Sequence, residues 1–126
     1  MVLQAHMDMV PQATADKPQD FLKDQITAYV KGGYLTADRT TPGADDGIGV
    51  AIIMALLQDK DIEHGPIEAL FTVDEEDGFT GVNGLKAGVL KGSYLRHRLC
   101  PARDRGIVRL MQLPISFFPR TFSGSA

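Results

Sequence analysis

The chain has 126 residues and a mass of 13.7 kDa, enough for one domain with a modest core. It is 44% hydrophobic and 23% charged, the ordinary composition of a soluble globular protein, and its net charge of −3 gives no reason to expect nucleic-acid binding. No apolar run reaches the ~18 residues of a membrane helix, residues 1–20 lack the basic-then-apolar order of a secretory leader, and the single Cys100 excludes an internal disulfide framework. A cytoplasmic protein without a membrane partner is the expectation.

The average charge hides a split. Residues 1–95 carry six Lys and one Arg against fifteen acids, a balance of −8. Residues 96–126 carry six Arg, no Lys and one acid, Asp104, a balance of +5. In chain order, Val2–Asp8 reads as a strand that begins almost at Met1, internal to a sheet whose neighbouring strands are absent. Residues 11–25 are polar and contain proline, so they read as a loop. Ile26–Val30 and Tyr34–Thr36 flank Lys31-Gly32-Gly33 and read as a hairpin, because the glycines supply the positive φ of the turn. Asp38–Gly49 is rich in Thr, Pro, Gly and Asp and reads as a loop.

From about Asp46 to Gln58 a helix is predicted. It is apolar on every side over Ile48–Leu57, the pattern of a helix buried all round. Ile67–Val73 is a strand, closed by the acidic run Asp74-Glu75-Glu76-Asp77. A short helix follows around Gly81–Ala87. Strand, helix, strand implies a crossover unit and an α/β fold with a mixed or largely parallel sheet and flanking helices. The segment from Arg96 holds Pro101, Pro114, Pro119, Phe117, Phe118 and Phe122 without a sustained period, so irregular chain is expected there.

Three acidic groups lie at element ends. His6 and Asp8, two apart on a strand, leave the same face; a carboxylate beside a histidine fixes the ring of a metal ligand, or the two form an ordinary solvated pair. Asp45-Asp46 precedes the apolar helix, where one Asp serves as an N-cap and two exceed that need. Glu75 and Glu76 repel each other unless they are solvated or bind a cation. If the two strands are parallel neighbours, all three groups meet at one sheet edge, where ligands bind in open α/β sheets. A histidine with several carboxylates suits Zn²⁺, Co²⁺ or Mn²⁺, and a spare glutamate suits a general base.

Three blocks carry a resemblance: Leu3-Gln4-Ala5-His6-Met7-Asp8-Met9-Val10, Thr40-Thr41-Pro42-Gly43-Ala44-Asp45-Asp46-Gly47-Ile48-Gly49, and Leu70-Phe71-Thr72-Val73-Asp74-Glu75-Glu76. In this order they resemble the M20 metallopeptidases, and within them the aminoacyl-histidine (Xaa-His) dipeptidases, over roughly residues 2–95. The resemblance implies part of a zinc-dependent exopeptidase catalytic domain that binds two divalent ions. It makes His6 a ligand of one ion, Asp8 the support of His6, Asp45 a carboxylate bridging both ions through a cis Asp45–Asp46 bond, and Glu76 a ligand of the second ion. It makes Glu75 the general base that takes a proton from water and delivers it to the leaving amine of a dipeptide substrate. It further implies a homodimeric parent.

The chain departs from that pattern. The family enzyme is several times longer, and two of its ligands have no counterpart here: an Asp expected near Leu99 and a His near the family's C-terminus. The reading is therefore 1–95 as a partial catalytic domain and 96–126 as a non-family, Arg-rich tail, with weak metal binding, low stability and little activity for the chain alone. A shift of reading frame accounts for the break: codons CGT CAT CGA CTC for Arg96-His97-Arg98-Leu99, read one base later, begin Val-Ile-Asp. Two alternatives stay open. One is another M20 peptidase or deacylase. The other is a noncatalytic product whose basic tail binds an acidic partner or membrane surface. His64 and His97 read as a loop and a tail residue, and Cys100 is given no role.

Overall fold

The computed structural model describes residues 1–99 and 109–114. The first strand, β1 (Val2–His6), has Val2, Leu3, Ala5 and His6 all buried, as a strand covered on both faces requires. It is internal, as expected, but its neighbours are not missing: residues downstream in this same chain supply them. The strand stops at His6, so Asp8 lies in the loop beyond it rather than on the strand.

The hairpin forms as β2 (Ala28–Lys31) and β3 (Tyr34–Ala37), antiparallel, with Lys31 opposite Tyr34. Gly32 and Gly33 take φ of 59° and 83° at its turn, which a side chain would oppose. The helix α1 (Ala44–Gln58) follows. Asp45 and Asp46 have non-helical backbone angles, so the regular turns begin after them. α1 lays Ile53 on Leu3 and Ala5 of β1, with Val50, Leu56, Ile67 and Phe71 around this contact.

The expectation that α1 is buried on all sides is corrected. Ile48, Ile52, Met54 and Leu57 are exposed, at 40, 42, 49 and 47%. Among the described residues α1 packs on Leu3 and Ala5 of β1 with Ile67 and Phe71 beside them, so one sheet covers one face.

Strand β4 (Glu68–Thr72) runs parallel to β1, with Val2 opposite Glu68 and His6 opposite Thr72. A one-turn helix, α2 (Thr80–Asn83), is shorter than predicted. It packs so closely on the end of β4 that a Cβ at Gly81 would meet the Val73 carbonyl oxygen at 2.5 Å. β5 (Tyr94–Leu99) pairs parallel to β1 on its other side, and β6 (Arg109–Pro114) pairs antiparallel to β5. The sheet order is β4-β1-β5-β6, a mixed sheet in an α/β fold. Two strands thus occupy positions where irregular chain was expected; the backbone ladder does not need a side-chain period to form. Cys100, Pro101, Phe117, Phe118, Pro119 and Phe122 lie outside the described residues.

Glu68 locks the approach to β5. Its carboxylate accepts the backbone N–H of Gly92 at 2.6 Å and that of Lys91 at 3.0 Å. Gly92 passes so near β1 that a Cβ there would stand 2.9 Å from Val2 Cγ2. No helix among the described residues is long and apolar enough to cross a membrane.

Candidate functional site

The parallel β1–β4 pair brings both strand ends to one edge, and α1 starts above that edge. Met7 N–H donates to the Thr72 carbonyl at 2.9 Å, which carries the ladder one residue past His6. Below it, Gln4 Nε2 donates to Thr72 Oγ1 at 2.9 Å. His6 is therefore buried, 3% exposed, on a fixed backbone.

Its two ring nitrogens face different partners. Nδ1 lies 3.1 Å from the Asp8 carbonyl oxygen and 3.5 Å from Asp8 Oδ1. Nε2 lies 3.4 Å from Asp45 Oδ1 and 3.9 Å from Glu75 Oε2. Both nitrogens face acceptors; a cation among the carboxylates at Nε2 would take that lone pair and leave the ring proton on Nδ1, toward Asp8. Burial pulls the imidazole pKa down, but Glu75, the Asp8 carbonyl, Asp46 and Asp8 outweigh it, so His6 is held above the ordinary 6.5.

Asp8 reaches His6 from the loop because its other oxygen is anchored: Oδ2 accepts the Glu76 backbone N–H at 3.1 Å. Burial pushes this carboxyl up, yet the backbone N–H groups of Glu76 and Glu75 more than offset it, and its pKa sits below the ordinary carboxylate value. One side chain thus joins the end of β1 to the end of β4.

The Asp45-Asp46 pair divides its work. Asp46 is 1% exposed, and its Oδ1 accepts the Gly49 N–H at 3.1 Å, three residues on, as an N-cap does. A Cβ at Gly49 would collide with that carboxylate, so glycine is needed there. Asp45, joined to Asp46 by a cis peptide bond, is free of the cap and points at His6. Capping therefore accounts for Asp46 alone.

The Glu75-Glu76 turn is closed by Asp74, which takes φ of 62°. Its carbonyl accepts the Phe79 N–H at 2.7 Å, and its Oδ2 accepts the Thr80 hydroxyl at 2.6 Å.

His6, Asp45 and Glu76 each offer one ligand atom, all within 4.8 Å of one another. One imidazole nitrogen and two carboxylates at such separations fit a divalent ion. The five residues singled out from sequence, His6, Asp8, Asp45, Glu75 and Glu76, all lie at this corner. His64 is exposed, with Nδ1 2.8 Å from the neighbouring Gly65 carbonyl oxygen. The sequence reading passed over Asp74, Thr80 and Gly49. The Asp-x-x-Gly spacing of Asp46 and Gly49 is a capping signal, whereas nothing local marks the Asp74–Thr80 bond.

Residues 2–107 match the model of peptidase family M20/M25/M40. The chain is 47% identical to the cytosol non-specific dipeptidase of Escherichia coli (strain K12) over 95 residues, 75% of this chain and 20% of that protein. It is 42% identical to a peptidase T of Exiguobacterium over 66 residues, 48% of this chain and 16% of that protein. The crystal structure of aminoacylhistidine dipeptidase from Vibrio alginolyticus superposes with a TM-score of 0.73 at 55% identity, covering 77% of this chain and 20% of that one. The chain spans about a fifth of the length of the dipeptidases it matches.

Proposed function

The chain belongs to peptidase family M20/M25/M40, and from that premise we propose that its acidic corner is the metal-binding part of a site for dipeptide hydrolysis, of the Xaa-His type. The observation that carries this reading is the meeting of His6, Asp45 and Glu76 within 4.8 Å, with Asp8 behind the imidazole. These three residues would hold the ion: Zn²⁺, with Co²⁺ and Mn²⁺ as alternatives. When bound, the metal supplies Lewis acidity toward water and the peptide carbonyl. Glu75, within 3.9 Å of His6 Nε2, is the base that takes the water's proton and returns it to the leaving amine. Asp8 holds the ring and so keeps Nε2 aimed.

Three ligating side chains are few for two ions. For this chain alone the reading is weak metal binding and little or no dipeptidase activity. Residues 1–95 act as a partial catalytic domain, and the Arg-rich segment 96–126 adds none of the family's ligands. The complete enzyme would be a cytoplasmic homodimer.

Cobalt titration followed by visible absorption tests the site. The full chain is expected to give a Co²⁺ spectrum that His6→Ala weakens by at least about 100-fold, since the buried nitrogen ligand is lost. Binding requires neutral His6. Because the carboxylates hold the imidazole above 6.5, affinity falls off with acid at a higher pH than an isolated histidine would dictate. No spectrum at millimolar Co²⁺ overturns the metal reading. Robust metal-dependent hydrolysis of an Xaa-His dipeptide by this chain overturns the reading that it is incomplete.

A further inference from the structure

Glu76 stands in the turn that follows β4, where its N–H is held by Asp8; Asp45 comes to the site from the other side. It stands in the irregular start of α1, and the apolar seat of α1 on β1 is centred on Ile53, eight residues further on. A contact nearer to Asp45 is needed to fix its height relative to His6 closely. The loops that leave β1 and enter α1 supply it.

Thr41 lies four residues before Asp45. Its hydroxyl donates to the Val10 carbonyl at 2.8 Å and accepts the Gln12 N–H at 3.1 Å. Its own N–H donates to the Gln12 carbonyl at 2.8 Å. Next to it, Thr40 bridges Ala13, and Thr14 N–H donates to the Arg39 carbonyl at 2.9 Å. Closer to the site, Gly43 (φ 73°) lies against Met9, whose sulfur would stand 3.0 Å from a Cβ there. The segment just after His6 and Asp8 is therefore clasped to the segment just before Asp45, and the Thr41 hydroxyl bonds to two points of the opposite segment, Val10 and Gln12.

We infer that Thr41 is a positioning residue for the metal centre, setting the spacing between His6 and Asp45. This inference rests on the metal reading given above. Thr41 touches neither the ion nor the substrate; it acts through the backbone of residues 10–12.

Two measurements on the full chain test it. In the first, Co²⁺ titrations compare the parent with Thr41→Val, which keeps the shape and removes the hydroxyl, and with Thr41→Ser, which restores it. Thr41→Val is expected to weaken Co²⁺ binding about tenfold, the lower end of what outer partners of metal ligands contribute. Thr41→Ser is expected to stay within about twofold of the parent. The second uses the parent alone. If the closed clasp strengthens metal binding, metal binding must strengthen the clasp by the same factor. Saturating Zn²⁺ should therefore slow hydrogen exchange at the Thr41 N–H about tenfold.

Equal Co²⁺ affinity for the parent and a folded Thr41→Val overturns the inference, as does a Thr41 amide indifferent to Zn²⁺. If Thr41→Val loses its far-UV helical signal, the exchange measurement decides. A parent that binds neither ion overturns the metal reading, and the role of Thr41 with it. A parent that binds while both Thr41 measurements stay flat removes only the role of Thr41.

Discussion

The two flanks of β1 are alike in backbone and unlike in chemistry. On one side β4 runs parallel and leads into Glu75 and Glu76, which close on His6. On the other side β5 also runs parallel, with Gln4 opposite His97. The pairing with β1 ends there, and neither β5 nor β6 contains an acid. A parallel ladder is made by peptide groups and tolerates many side chains. Strand placement and carboxylate supply are therefore separable: one flank brings carboxylates to the edge, and the other brings a strand that has none.

The contact that both flanks share is the seat of α1 on β1. Ile53→Ala removes the buried centre of that seat, 5% exposed between Leu3 and Ala5. Such truncations cost about 2–5 kcal/mol, and the low end, about 2 kcal/mol, is expected because Val50 and Leu56 are only partly buried and can settle into the gap. Urea unfolding of the variant measures it. A loss below about 1 kcal/mol would show that the helix is not anchored at this point.

The flank without carboxylates can be altered directly. Leu99→Asp puts a carboxylate at the end of β5, near where the family resemblance expects one. Added ligand charge tightens divalent sites, and Co²⁺ affinity is expected to rise on the order of tenfold, about 1.4 kcal/mol. An unchanged Co²⁺ titration would break the comparison, since the position would then lack access to the corner.

Much of this corner was legible in the residues. The three blocks identified the family, and two apolar strands separated by a helix suggested a crossover unit in which β1 and β4 could be parallel neighbours, as they are. The hairpin was legible because Gly32 and Gly33 mark its turn. Asp8 was placed on the strand because alternation is blind to where a ladder stops. The exposed side of α1 was missed because an apolar helix signals burial without showing whether a covering layer is present. β5 and β6 were missed because the Arg-rich composition hides strands whose pairing rests on backbone. The Thr41 and Asp74–Thr80 bonds are tertiary or turn-specific, and no local pattern announces them.

The smallest expected effect concerns how the donor-poor flank is held. Glu68 accepts the N–H groups of Lys91 and Gly92 most strongly as a carboxylate, and those two donors, Lys91 first, keep its pKa below the ordinary 4.5. The folded form therefore binds this proton less readily than the unfolded chain does. The stabilisation is fully present above 4.5 and is lost as pH falls through the lowered folded value. Glu68→Gln keeps the shape and removes the charge, so its melting temperature should lie below that of the parent at neutral pH and converge with it in acid. Thermal melts of both proteins across the acid range check this. The difference should be modest because the carboxylate is solvated. A gap that persists unchanged into strong acid would assign the contact to packing around Gly92 and Val2 rather than to the carboxylate. The approach to β5 would then depend on the fit of a glycine against β1, with the charge of Glu68 incidental to it.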